Sequence, residues 1–78
     1  MPQSLDIADL IVELRQELRM TQEQLAAELG VTFPTVNRWE NRRAKPSRIA
    51  LQLIQQRLEQ MDKPGQRLLK KYFGNVKK

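Results

Sequence analysis

The chain has 78 residues, 14 Lys and Arg against nine Asp and Glu for a formal charge of +5, 40% apolar side chains, and neither Cys nor His. This is the size of one small domain, apolar enough to fold, and its composition rules out disulfides, thiol nucleophiles, imidazole bases and zinc sites of the usual nitrogen and sulfur kind. No apolar run exceeds three residues, as at Leu10 to Val12, so neither a transmembrane span nor a signal-peptide core is expected. A non-enzymatic intracellular module without cofactor or metal is the expectation, and the basic balance favours a polyanionic partner.

The charge is unevenly spread. Residues 1–37 carry a net −4, residues 38–62 a net +3, and residues 63–78 a net +6 with no acid at all. Two readings follow: one face that repels phosphate and another that attracts it, or the solvated faces of an ordinary soluble domain.

Ser4 is a candidate N-cap for an amphipathic helix over residues 5–19. Ile7, Leu10, Ile11, Leu14 and Leu18 recur there at three- and four-residue spacing, and Leu5, Ala8 and Val12 broaden the buried stripe. Thr21 and Gln24 fit a capping box opening a short second helix, with Leu25, Ala26 and Leu29 inward and Gly30 as its left-handed stop. Thr32 caps the third helix, and Pro34 sits in the first turn, where a missing N–H costs nothing. That helix runs to about Asn41 and buries Val36 and Trp39, and a basic loop follows over residues 42–46. Pro46 and Ser47 open a long fourth helix with Leu51, Ile54, Leu58 and Met61 on its inner side and Ile49, Ala50 and Leu53 widening the apolar face. Pro64-Gly65 interrupts it. A fifth helix over residues 66–73 turns Leu68, Leu69, Tyr72 and Phe73 inward, and Gly74 ends it. The architecture is all-α, with five helices in one domain over residues 1–78 and a basic tail over residues 74–78.

The informative stretch is residues 22–41. Two short helices joined by a glycine-containing turn form a helix-turn-helix. Ala26 is small where the second helix crosses close, Gly30 turns without a Cβ penalty, and Leu25, Leu29, Val31, Val36 and Trp39 lock the pair at its angle. On a helical wheel Val36 and Trp39 share one side of the third helix, while Pro34, Asn37, Arg38 and Asn41 lie opposite.

From Ile11 to Ile54 the chain resembles the lambda-repressor-like, or Xre-type, helix-turn-helix domains. The resemblance rests on Leu14-Arg15, Met20-Thr21-Gln22, Leu25-Ala26, Leu29-Gly30-Val31, Thr35-Val36, Arg38-Trp39-Glu40-Asn41 and Pro46. It implies a five-helix lambda-repressor-like fold, a third helix that enters the DNA major groove, and regulation of transcription, with repression the leading role. In such a recognition helix Thr32, Phe33, Pro34, Asn37 and Arg38 are the candidate base readers: Arg38 for guanine, Asn37 for adenine, Thr32 or Phe33 for a thymine methyl. Gln22, Asn41, Arg42, Arg43, Lys45 and Arg48 are the candidate phosphate contacts. Arg15 and Glu40 look like the family's structural ion pair. The chain departs from the family in two places. Phe33 and Pro34 cannot hydrogen-bond a base where many relatives carry Gln or Ser, which shifts weight to apolar contact and DNA shape. Arg42 stands where Gly is usual, so Asn41 is expected to take the left-handed cap and Arg42 to add a phosphate contact.

Plainer roles compete at several positions. Trp39 reads as core rather than a stacking platform, and Arg38 as either a contact or a solvated side chain. Phe33 packs on a neighbouring helix or on DNA. Lys70, Lys71, Lys77 and Lys78 read as a solvated end, and Gln55, Gln56 and Gln60 as an exposed helix side. The leading expectation is a double-stranded DNA-binding regulator in the cytoplasm, on the nucleoid, with no membrane association. Any homodimer would use the domain itself or form only on DNA. The alternative is an antitoxin with a toxin partner, or a protein-interaction module that uses helices four and five, where Ile49, Leu53 and Leu58 extend beyond the core set. An enzyme is the weakest class, because the carboxylates lie beside solvent with no nucleophile.

Overall fold

Four of the five helices begin where a side chain satisfies an N–H group that an α-helix leaves unpaired; the fifth opens at Asp62 without such a bond. The computed structural model describes residues 6–74 and contains α1 (Ile7–Leu18), α2 (Gln22–Leu29), α3 (Phe33–Glu40), α4 (Arg48–Gln60) and α5 (Lys63–Phe73). The cap of α1 is Asp6, whose carboxylate accepts from the Ala8 N–H at 2.9 Å; Ser4, expected in that role, lies outside the described residues with Leu5. Thr21 and Gln24 exchange the two bonds of a capping box at 3.1 and 2.9 Å. Thr32 caps α3 and Ser47 caps α4.

Three helices end by one device. After α1, α2 and α3 the chain passes through a left-handed residue, and the next amide reaches back five positions: Met20 to Arg15, Val31 to Ala26, Arg43 to Arg38. The left-handed residues are Arg19 (φ 57°), Gly30 (φ 75°) and Arg42 (φ 62°). The expectation for Asn41 is therefore corrected: it holds φ −95°, and Arg42 itself takes the left-handed turn. The reason is that the reverse bonds Arg42 N–H to Trp39 C=O and Arg43 N–H to Arg38 C=O close only with the bend one residue beyond the cap.

Pro64-Gly65 also differs from expectation. It does not separate two helices but lies in the first turn of α5, which starts at Lys63. Proline loses nothing there, because first-turn amides have no intrahelical acceptor. Gly65 is buried against the end of α4: a Cβ on it would stand 2.0 Å from the Leu58 carbonyl oxygen and 2.7 Å from the Met61 Cβ. The glycine is what lets α5 fold back on α4.

The buried side chains come from all five helices: Leu10, Ile11 and Leu14; Leu25, Ala26 and Leu29; Val36 and Trp39; Ala50, Ile54 and Leu58; Leu68. Helix α1 packs on α3 and α5, α2 on α3 and α4, and α4 on α5. Leu58 belongs to this core, fully buried, and not to an outer apolar face; only Ile49 and Leu53 of that expected set are exposed.

The packing of α1 on α5 also revises the reading of the charge halves as opposed faces. Glu17 meets Arg67 at 2.7 Å and Glu13 meets Lys71 at 2.9 Å, so acids of the front and bases of the back neutralise one another. Tyr72 donates its hydroxyl to Glu13 as well. That bond, followed by the Lys71 ammonium, holds the Glu13 carboxyl below its ordinary 4.5, while burial and then Glu13 push the Tyr72 phenol above its ordinary 10.

Two outcomes are expected. Gly65→Ala lowers the free energy of unfolding in urea by roughly 1–3 kcal/mol, because the new methyl meets backbone that cannot yield cheaply. The second concerns pH. A carboxyl whose pKa is depressed by folding gives stability that is complete above its unfolded value and lost as pH falls through the folded one. A phenol whose pKa is raised gives stability that is complete below pH 10 and lost as pH rises. Melting temperature should therefore decline below about pH 4.5 and above about pH 10, and Glu13→Gln should flatten the acid limb.

Candidate nucleic-acid interface

Helix α3 presents two unlike sides. Val36 and Trp39 are buried, while Phe33, Pro34, Arg38 and Asn41 are exposed. Phe33 leads the helix at 43% exposure, an apolar ring open to solvent. The Thr32 hydroxyl beside it is shared with Thr35, with Oγ1 to Oγ1 at 2.8 Å, besides accepting the capping bond from the Thr35 N–H.

Under this surface runs a chain of polar contacts that starts from a nearly buried charge. The Glu40 side chain is 7% exposed and accepts from Arg15 twice, Nε to Oε2 at 2.8 Å and Nη2 to Oε1 at 3.2 Å. Arg15 also donates to the Met20 carbonyl at 3.3 Å, tying the turn after α1 into the same site. Gln22 gives its Nε2 to Glu40 at 2.8 Å and accepts from Asn37 Nδ2 at 3.1 Å. Asn41 Nδ2 then donates to the Asn37 backbone carbonyl at 2.9 Å and to its Oδ1 at 3.2 Å. Three expected DNA contacts, Gln22, Asn37 and Asn41, are thus bonded to one another. The three- and four-residue spacing of Asn37, Glu40 and Asn41 puts them on neighbouring positions of one helix surface, and this spacing was the available signal for the network.

Arg15, Arg42, Arg57, Arg67 and Lys71 are in ion pairs. Seven exposed cations have no ion pair among the described residues: Arg38, Arg43, Lys45 and Arg48, and, apart from them in the chain, Arg19, Lys63 and Lys70. The first four come from the end of α3, the loop after it and the first residue of α4.

Arg42, expected beside them as a phosphate contact, is instead turned onto α1. Its Nε donates to Asp6 and its Nη2 to Asp9 at 2.9 Å. The Ala8 N–H and then Arg42 hold the Asp6 carboxyl below its ordinary 3.8, and Asp6 in turn raises Arg42.

A profile of the helix-turn-helix family matches residues 11–63, from the middle of α1 through the start of α5. The chain has no significant match among curated proteins or among solved structures. No helix among the described residues is long and apolar enough to cross a membrane.

Removing Arg15 strands the Glu40 charge where water barely reaches it. Arg15→Ala should lower stability by about 2–3 kcal/mol in denaturant titration, below the fully buried limit because Arg15 is itself 25% exposed. Arg15→Leu combined with Glu40→Leu should recover most of that loss, since an apolar pair of similar volume leaves no stranded charge.

Proposed function

We propose that this chain, which belongs to the lambda-repressor-like helix-turn-helix family of DNA-binding regulators, is a sequence-specific transcriptional repressor that lays α3 in the major groove. The observation that carries the reading is that four of the seven cations without an ion pair among the described residues, Arg38, Arg43, Lys45 and Arg48, are gathered at the end of α3 and just after it, while Arg67 and Lys71 of α5 are neutralised by α1. The Arg38 guanidinium makes no hydrogen bond among the described residues, which suits it to a bidentate contact with guanine O6 and N7. Asn37 keeps one amide hydrogen and one carbonyl lone pair, enough for an adenine edge. Phe33, with Thr32 and Pro34 beside it, offers apolar contact to a thymine methyl. Arg43, Lys45 and Arg48 grip the flanking phosphates. Gln22 adds its second amide hydrogen there, and Asn41 lies at the same margin.

Hydrogen-bonded readout thus rests on few side chains, and a pair of domains on half-sites about 34 Å apart supplies the rest of the specificity. A cytoplasmic location on the nucleoid follows from this role. A second reading is favoured by α4, where Ile49 is 69% and Leu53 38% exposed. These side chains offer a protein partner, such as a toxin, a surface away from the core, with the chain acting as antitoxin on its own operator.

The test is selection of duplexes from a random library at about 0.15 M salt, where nonspecific affinity is already reduced. An enriched inverted repeat is expected. On the selected site Arg38→Ala should cost about 1–3 kcal/mol and relax preference at one base pair. Arg43→Ala should weaken all sequences alike and reduce the salt slope by about one unit. An Arg38→Ala variant with unaltered base preference would remove Arg38 from the reading surface.

A further inference from the structure

The ion pairs of Arg42 are oriented in an unexpected direction for a cation at the exit of a recognition helix. Its neighbours in the chain, Arg43 and Lys45, are unpaired among the described residues, yet Arg42 is clasped by two carboxylates from the first turn of α1. The planar guanidinium fork that fits two carboxylate oxygens also fits the oxygens of a phosphodiester. We infer that Asp6 and Asp9 stand in for DNA phosphate, withholding Arg42 from the duplex and thereby setting the affinity and salt dependence of binding. The inference rests on the DNA-binding reading above.

Several features suit the acids to this role. Turning the Arg42 side chain alone takes the guanidinium off α1, with the left-handed backbone and its reverse hydrogen bonds unchanged. All three side chains are roughly half-exposed, Arg42 at 55%, Asp6 at 41% and Asp9 at 53%, and exposed pairs of this kind exchange readily in water. Asp6 has a second duty as the cap of α1, and its Oδ1 holds the Ala8 N–H whether or not Oδ2 holds Arg42. The Ala8 N–H keeps the Asp6 carboxylate in place at the start of α1, where the helix dipole favours an anion. The clasp is therefore a contact that can be opened without unfolding either element it joins.

The measurement is the slope of log affinity against log salt between 0.05 and 0.2 M for a fixed duplex, taken from the selection above. It compares the wild type, Arg42→Gln, the Asp6→Asn/Asp9→Asn pair, and that pair combined with Arg42→Gln. Asparagine caps a helix as well as aspartate does, so α1 is retained in the paired variant. Freeing Arg42 should steepen the slope by about 0.9, which makes the loss of affinity across that range about 3.5-fold larger than in the wild type. Adding Arg42→Gln should cancel the increase, and Arg42→Gln alone should leave the wild-type slope unchanged. Three results overturn the inference: an unchanged slope in the paired asparagine variant, an increase that survives Arg42→Gln, or a shallower slope on Arg42→Gln alone. A wild type that binds no duplex even at 0.05 M salt would sink the DNA-binding reading itself, and this inference with it.

Discussion

The polar surface of α3 depends on one charge that has little access to water. Glu40 closes α3, and its carboxylate is held by Arg15 from α1 and Gln22 from α2, so three helices meet at a single anion. Such a group must be fully satisfied or it destabilises its surroundings. Because a carboxylate only accepts, Gln22 must present its NH₂ to Glu40 and its oxygen to Asn37. Asn37 must then present its own NH₂ to Gln22 and leave its oxygen toward Asn41. The donor and acceptor pattern on the exposed side of α3 therefore inherits its direction from the charge beneath it.

The hydrophobic contacts do a different task. Val36 and Trp39 press α3 onto the core, and burial of that kind is strong but non-directional. It fixes which side of α3 faces inward without setting its rotation closely. The polar chain supplies the direction, and the ion pairs between α1 and α5 neutralise Arg67 and Lys71 where those helices pack. Division of labour of this sort lets a small core carry a well-defined surface.

Local chemistry made much of this readable from residues alone. Thr21 with Gln24, Thr32 and Gly30 are each bound to a helix end by short-range geometry, and the inward positions of α1, α2 and α3 follow from spacing. What escaped the sequence was which of several nearby residues took a local role, and the contacts between separate helices. Asp6 displaced Ser4 from the cap of α1, and Arg42 rather than Asn41 took the bend after α3. Gly65 looked like a break because only the carbonyl of Leu58, in another helix, shows why it must lack a side chain. That Arg38, Arg43, Lys45 and Arg48 have no ion pair among the described residues was equally hidden, because a base is seen to be unpaired only when the acids elsewhere have been placed.

The three left-handed turns differ in one respect that bears on motion. The turn inside the α2–α3 pair uses Gly30, for which that conformation is unstrained, whereas the turns before and after the pair use Arg19 and Arg42. A non-glycine residue held there costs ~1–2 kcal/mol, and that strain is relieved whenever the local backbone opens. The helix-turn-helix is thus a relaxed rigid body suspended between two strained hinges. Motion of the pair is expected to begin at these joints, by tilting as a unit, before the angle between α2 and α3 changes.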